Sequence, residues 1–183
     1  MLNETHGRLL TALARAAIAR EFDEPAAALP HPDWLDAPGA TFVTLTLGGR
    51  LRGCIGSLAA QRPLGEDVQY NARAAAFRDP RFPPLPAAEL DKVRVEVSVL
   101  TPATPMAFID EADALRQLRP GNDGVILEYD GHRATFLPQV WEQLPEPRQF
   151  MAHLKQKAGL SSDFWAGEVR LFRYGVEKFK EER

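Results

Sequence analysis

The stretch TFVTLTLGGRLRGCIGSL, residues 41–58, decides the fold reading. Its first seven residues alternate apolar Val43, Leu45 and Leu47 with Thr44 and Thr46, the period of two that a half-buried strand requires. Gly48-Gly49 is a two-residue turn signal, because tight hairpin turns need φ > 0 and glycine takes it without steric cost. Residues 50–58 then return as the antiparallel partner. This predicts a β-hairpin with one apolar face, which must be covered by something.

The covering elements lie on both sides in sequence. Upstream, Leu9, Leu10, Leu13, Ala16, Ala17 and Ile18 recur at helical spacing over residues 4–20, with Asn3 or Thr5 as a cap. A loop rich in Ala, Pro and Asp (23–39) joins this helix to the hairpin. Downstream, Leu64, Val68, Ala72, Ala75 and Ala76 form one stripe of a helix over 63–78, which Asp79-Pro80 stops. The proline-rich RFPPLP that follows must be extended. Residues 92–100 (KVRVEVSVL) alternate valine with Arg94, Glu96 and Ser98 and read as a strand.

The second half repeats this order. A short helix (111–118) precedes a strand (123–129), the Asp130-Gly131 turn and a returning strand (132–137). A helical turn (138–144), a helix (147–158) closed by Gly159 and a last strand (168–176) complete the chain. Hairpin, helix, strand thus occurs at 41–100 and again at 123–176. The prediction is a single α+β domain over 1–183, its two similar repeats forming one curved, barrel-like mixed or antiparallel sheet with helices packed outside.

Composition narrows the function classes. The chain has 183 residues with a formal charge of −3, which disfavours a protein that neutralises phosphate backbones. Duplex DNA is expected to bind no tighter than about 10⁻⁴ M, the weak end of non-specific affinity. One cysteine, Cys54, excludes an internal disulfide and any multi-cysteine metal site. The four histidines have no ligand spacing, and Gly-rich phosphate loops are absent, so neither metal nor cofactor is expected. The N-terminus lacks the apolar core of a signal peptide, no apolar run is long enough to span a bilayer, and a cytoplasmic protein is expected.

Cys54 stands out within LRGCIG, residues 51–56. Strict alternation places Arg52 and Cys54 on one face of the strand, where the guanidinium would favour a thiolate, and the flanking Gly53 and Gly56 would leave the thiol uncrowded. The competing reading is a small buried apolar residue. Arg73, Arg78 and Arg81 with Asp79 surround the end of the second helix and form a candidate anion clamp, against the simpler reading of helix-end capping and an Arg–Asp pair. Thr135 and Gln139 sit at a strand-to-helix junction able to receive an anion, or simply hold that junction by local bonds.

LRGCIG also resembles the signature of the AMMECR-domain family, system protein A of the AmmeMemoRadiSam group. The likeness continues through NARAAAFRDPRFPPL (71–85), Glu89-Leu90, VEVSVL (95–100), PGNDGVILEYDGHRATFLPQVWEQLP (120–145), HLKQKAGL (153–160) and Trp165, covering residues 7–178 in order. The resemblance implies an α+β fold of two repeats and partners of two kinds, a Memo-like protein and a radical S-adenosylmethionine protein. It implies no particular reaction. Two functions therefore stand side by side. One is a binding or adaptor component acting with those partners. The other is an enzyme using a cleft around Cys54 and Arg52 on a small anionic or protein substrate.

Overall fold

The structure, a computed structural model, describes residues 1–182. In chain order the elements are α1 (Glu4–Arg20), β1 (Pro38–Gly39), β2 (Thr41–Leu47), β3 (Arg50–Gly56), β4 (Arg62–Pro63), α2 (Leu64–Phe77), β5 (Val93–Leu100), β6 (Thr104–Pro105), α3 (Glu111–Gln117), β7 (Gly124–Tyr129), β8 (His132–Phe136), α4 (Pro147–Lys157), β9 (Arg170–Tyr174) and β10 (Val176–Lys180). They divide into two compact units, residues 1–100 with 177–182 and residues 101–176.

In the first unit the strand order is β10-β5-β2-β3, with β1 and β4 pairing separately. Val43, Leu45, Val93, Val95 and Val97 bury one face of this sheet against Leu10, Ala14 and Ile18 of α1 and Val68, Ala72 and Ala75 of α2. Each such aliphatic side chain, fully buried, stabilises by roughly 1.5–3 kcal/mol. α1 starts as its sequence suggests: Asn3 accepts from the His6 N–H while the His6 ring accepts from the Asn3 N–H, so two orphan donors are satisfied reciprocally.

In the second unit the order is β6-β9-β7-β8. Val125, Leu127 and Leu171 pack on Phe150, Met151 and Leu154 of α4. Trp141 stacks flat on Phe150, ring centroids 3.8 Å apart, and donates its indole N–H to the Asp123 carbonyl. The buried indole therefore has a partner, as it must.

The hairpins occupy related places. β2 lies between its hairpin partner β3 and β5, and β7 lies between β8 and β9, all antiparallel. Both turns adopt the positive φ that their residues suggest, at Gly48, Gly49, Asp130 and Gly131. The expectation of one common sheet is corrected: the strands form two separate four-stranded sheets, and the described residues close no barrel. The strand expected over 168–176 is the shorter β9, which ends before Gly175, whose N–H turns to the Thr101 hydroxyl; β10 is a further strand, not expected from the sequence, that joins the first sheet beside β5. No helix among the described residues is long and apolar enough to cross a membrane.

Candidate functional site

β3 is an edge strand, so one side of it presents backbone groups that no neighbouring strand satisfies. At Cys54 two side chains from the DPR turn do so instead. The Cys54 N–H donates to Asp79 Oδ2 at 2.9 Å, and Arg81 Nη2 donates to the Cys54 carbonyl at 3.3 Å. Asp79 and Arg81 are themselves joined by a two-pronged pair, Nε to Oδ1 at 3.0 Å and Nη2 to Oδ2 at 2.8 Å, with the Arg81 N–H on Oδ1 as well. The carboxylate is buried, while the Arg81 side chain is 55 % exposed. These bonds, chiefly the side-chain pair with Arg81, hold the Asp79 carboxyl well below the usual carboxylate range despite its burial. They raise the guanidinium in turn, and the neighbouring Cys54 adds to that.

The thiol lies opposite Thr44 in the hairpin and sits 3.3 Å from its hydroxyl. Thr44 alternates with buried Val43 and Leu45, so Cys54 is on the face turned away from the core and is half-buried. Arg52 is engaged elsewhere. The β2–β3 register slips between Leu45 and Thr46, leaving Arg52 as the extra residue of a bulge. A bulge breaks the alternation on which the sequence expectation rested. Arg52 is buried and turns to Glu89, Nε to Oε2 at 2.9 Å, while its Nη1 and Nη2 are buried without a hydrogen-bond partner. The cation next to the thiol is Arg81.

The motif glycines have another cause than access to sulfur. A Cβ on Gly53 would stand 2.2 Å from the Ala75 carbonyl oxygen of α2, and one on Gly56 would strike the Phe42 ring at 2.2 Å. They allow a helix and a side chain to close onto β3. The expected four-residue clamp is also divided: Asp79 and Arg81 are at Cys54, whereas Arg78 lies over the ring of Tyr70, at 5.1 Å. Arg73 borders a depression that Tyr70 also lines. In the second unit Thr135 Oγ1 is hydrogen-bonded to the Tyr174 hydroxyl and its carbonyl accepts from Lys157, while Gln139 is exposed on the turn that follows β8.

Sequence reasoning missed a buried polar centre close by. Asp67 and Asn71 lie on the apolar stripe of α2, and Asp67 is fully buried. Its Oδ2 accepts from the Thr41 N–H, the Thr41 hydroxyl and Asn71; its Oδ1 accepts from Ser57 and from Arg62 Nε. A carboxylate and an amide four residues apart among Leu64, Val68 and Ala72 were the visible signal. Among the described residues, no three His, Cys, Asp or Glu side chains group as a metal site requires. A cleft of about 580 Å³ beside α1 touches neither Cys54 nor Arg81, and its Arg15 is already bound to Glu181 and to the Leu90 and Val93 carbonyls.

Asp79→Asn should destabilise the protein by about 2 kcal/mol at neutral pH, the scale of hydrogen bonds to a charged group. The folded carboxyl titrates lower than the unfolded one, near 3.9. Its contribution is therefore complete above about pH 5 and is lost as pH falls through the unfolded value toward the folded one. Urea melts of both proteins across pH 2–7 should converge in acid. A constant gap would show that the charge is not the cause.

A model of the AMMECR1 family matches residues 11–179. A protein of Methanothermobacter thermautotrophicus is 38 % identical, the alignment covering 99 % of this chain and 97 % of its own. One from Thermofilum pendens is 35 % identical, covering 98 % and 92 %. The crystal structure of an uncharacterised protein from Pyrococcus horikoshii superposes with a TM-score of 0.81 at 34 % identity, covering 99 % of this chain and 94 % of that one. With the match running through the hairpin, the DPR turn and both units, this chain belongs to the AMMECR1 family.

Proposed function

We propose that this protein is a binding component, with the Memo-like and radical S-adenosylmethionine proteins implied by its family resemblance as partners, and that Cys54 and Arg81 mark where an anionic group of a partner is received. The observation that carries this reading is Arg81. Its guanidinium is held in place by buried Asp79 yet is more than half exposed, so it is pre-organised to accept a further carboxylate or phosphate. Thiol catalysis has less support, because a nucleophilic cysteine calls for an adjacent base. Among the described residues the thiol's hydrogen-bond partner is a threonine hydroxyl, and both Asp79 oxygens are engaged elsewhere.

The test is calorimetric titration of this chain with the purified Memo-like and radical-enzyme proteins of its own genome. Arg81→Ala should weaken binding at least tenfold, or about 1.4 kcal/mol. Arg81→Lys, which keeps the charge but not the fork, should lie between. Cys54→Ser should bind within about threefold of wild type. Unaltered binding by Arg81→Ala would overturn the reading. So would turnover of a substrate abolished by Cys54→Ser, which selects the enzyme alternative.

A further inference from the structure

The outer face of α2 carries an arrangement that this site does not use. Tyr70 is 43 % exposed, and two guanidiniums lie over its ring, Arg62 at 3.9 Å and Arg78 at 5.1 Å from the centroid. Arg62 is neutralised by Asp67, 3.1 Å away. Arg78 has no carboxylate partner among the described residues, and neither has Arg73 on the next turn. Arg62, Glu66, Gln69, Tyr70 and Arg73 line a depression of about 260 Å³. With Asp67 and Glu66 set against Arg62, Arg73 and Arg78, this face keeps an excess of one positive charge in a protein whose net charge is −3.

We infer that this face docks an acidic peptide segment of a partner protein, with Arg73 and Arg78 each taking a carboxylate and Tyr70 acting as the platform between them. Stacking on the ring restrains the Arg78 fork before anything binds, which lowers the ordering cost of a bidentate contact. Arg73 lies within α2 and Arg78 caps its C-terminus, five positions on. An extended peptide with acidic residues at alternate positions, about 6.8 Å apart, presents its carboxylates on one side, toward both arginines. The same face suits a nucleic acid poorly. Glu66 stands in the depression, and a continuous run of phosphates could not avoid it as two spaced carboxylates can. The inference extends the binding role proposed above but uses different residues, so either can fail alone.

The test is fluorescence anisotropy with a labelled peptide of alternating Glu and Ser, the same peptide with Gln for Glu, and a labelled oligothymidylate of equal charge. The Glu peptide should bind wild type, and Arg73→Glu and Arg78→Glu should each weaken it at least tenfold. Tyr70→Phe should stay within twofold, since the ring is retained, and Tyr70→Ala should lose at least threefold. Arg116→Glu, an exposed arginine in the other unit, should change nothing. If the charge reversals disturb folding, Arg73→Gln and Arg78→Gln should still lose threefold or more. Equal binding of the Gln peptide, an equal loss with Arg116→Glu, or tighter binding of the oligothymidylate would each overturn the inference. Loss of partner binding by Arg81→Ala would be untouched by any of them.

Discussion

Asp67→Ala should destabilise the first unit by about 3 kcal/mol, because several buried donors lose a charged acceptor and each buried group left unmade costs on the order of 1–3 kcal/mol. The carboxylate gathers donors from three places: Thr41 at the start of β2, Ser57 just past β3, and Arg62 and Asn71 on either side of it in sequence. Truncation leaves the Thr41 N–H without its acceptor at a residue that is fully buried, and removes the charge opposing Arg62. Leaving buried donors unmade is the expensive direction, because their lost hydration is not returned. The change should also be local before it is global. Amide exchange at Thr41 and Ser57 should accelerate ahead of that at β5, since these bonds pin the open end of the hairpin to α2. Asp67→Asn keeps the shape and one acceptor oxygen and should cost about half as much. A loss below about 1 kcal/mol for the alanine variant would mean that Asn71 and water take over the network.

Gly53→Ala should cost about 3 kcal/mol, at the upper end for overpacking, because the obstacle is backbone. The added Cβ meets the Ala75 carbonyl oxygen at 2.2 Å and its carbon at 3.0 Å, so α2 or β3 must move bodily. Gly49→Ala is the internal comparison. There the Cβ meets nothing, and the cost comes only from φ +78°, about 1–2 kcal/mol. Gly56→Ala should fall between them, since the Phe42 ring it strikes belongs to a side chain able to rotate. Urea melts of the three variants give the order directly. If Gly49→Ala proves the costliest, close approach of the helix is not the reason for the motif glycine.

Local chemistry was readable from the letters. Alternation of Val93, Val95, Val97 and Val99, the stripe of Leu64, Val68 and Ala72, and the turns Gly48-Gly49 and Asp130-Gly131 all depend on neighbours a few residues away, and α1 forms over the span its spacing indicates. The site was legible only in part. Cys54, Asp79 and Arg81 stood out by residue type, and they do meet. That Arg81 rather than Arg52 is the cation at the thiol depends on a bulge, which alternation cannot anticipate because one unpaired residue reverses every assumption about faces.

By itself, then, the sequence determined the main helices, both hairpins and the recurrence of hairpin, helix and strand, but not β1, β4, β6 or β10, since periodicity and turn chemistry act within one element or one turn. The tertiary structure decided that the longer strands form two four-stranded sheets, that Gly53 serves the approach of α2 rather than access to sulfur, and that Arg78 lies over Tyr70 while Arg81 pairs with Asp79. The surroundings of β3 depend on contacts between residues 22 to 30 positions apart, such as Gly53 with Ala75, Cys54 with Asp79 and Thr41 with Asn71. Such contacts depend on how whole elements pack, and on which buried donors and acceptors remain to be satisfied once they have packed.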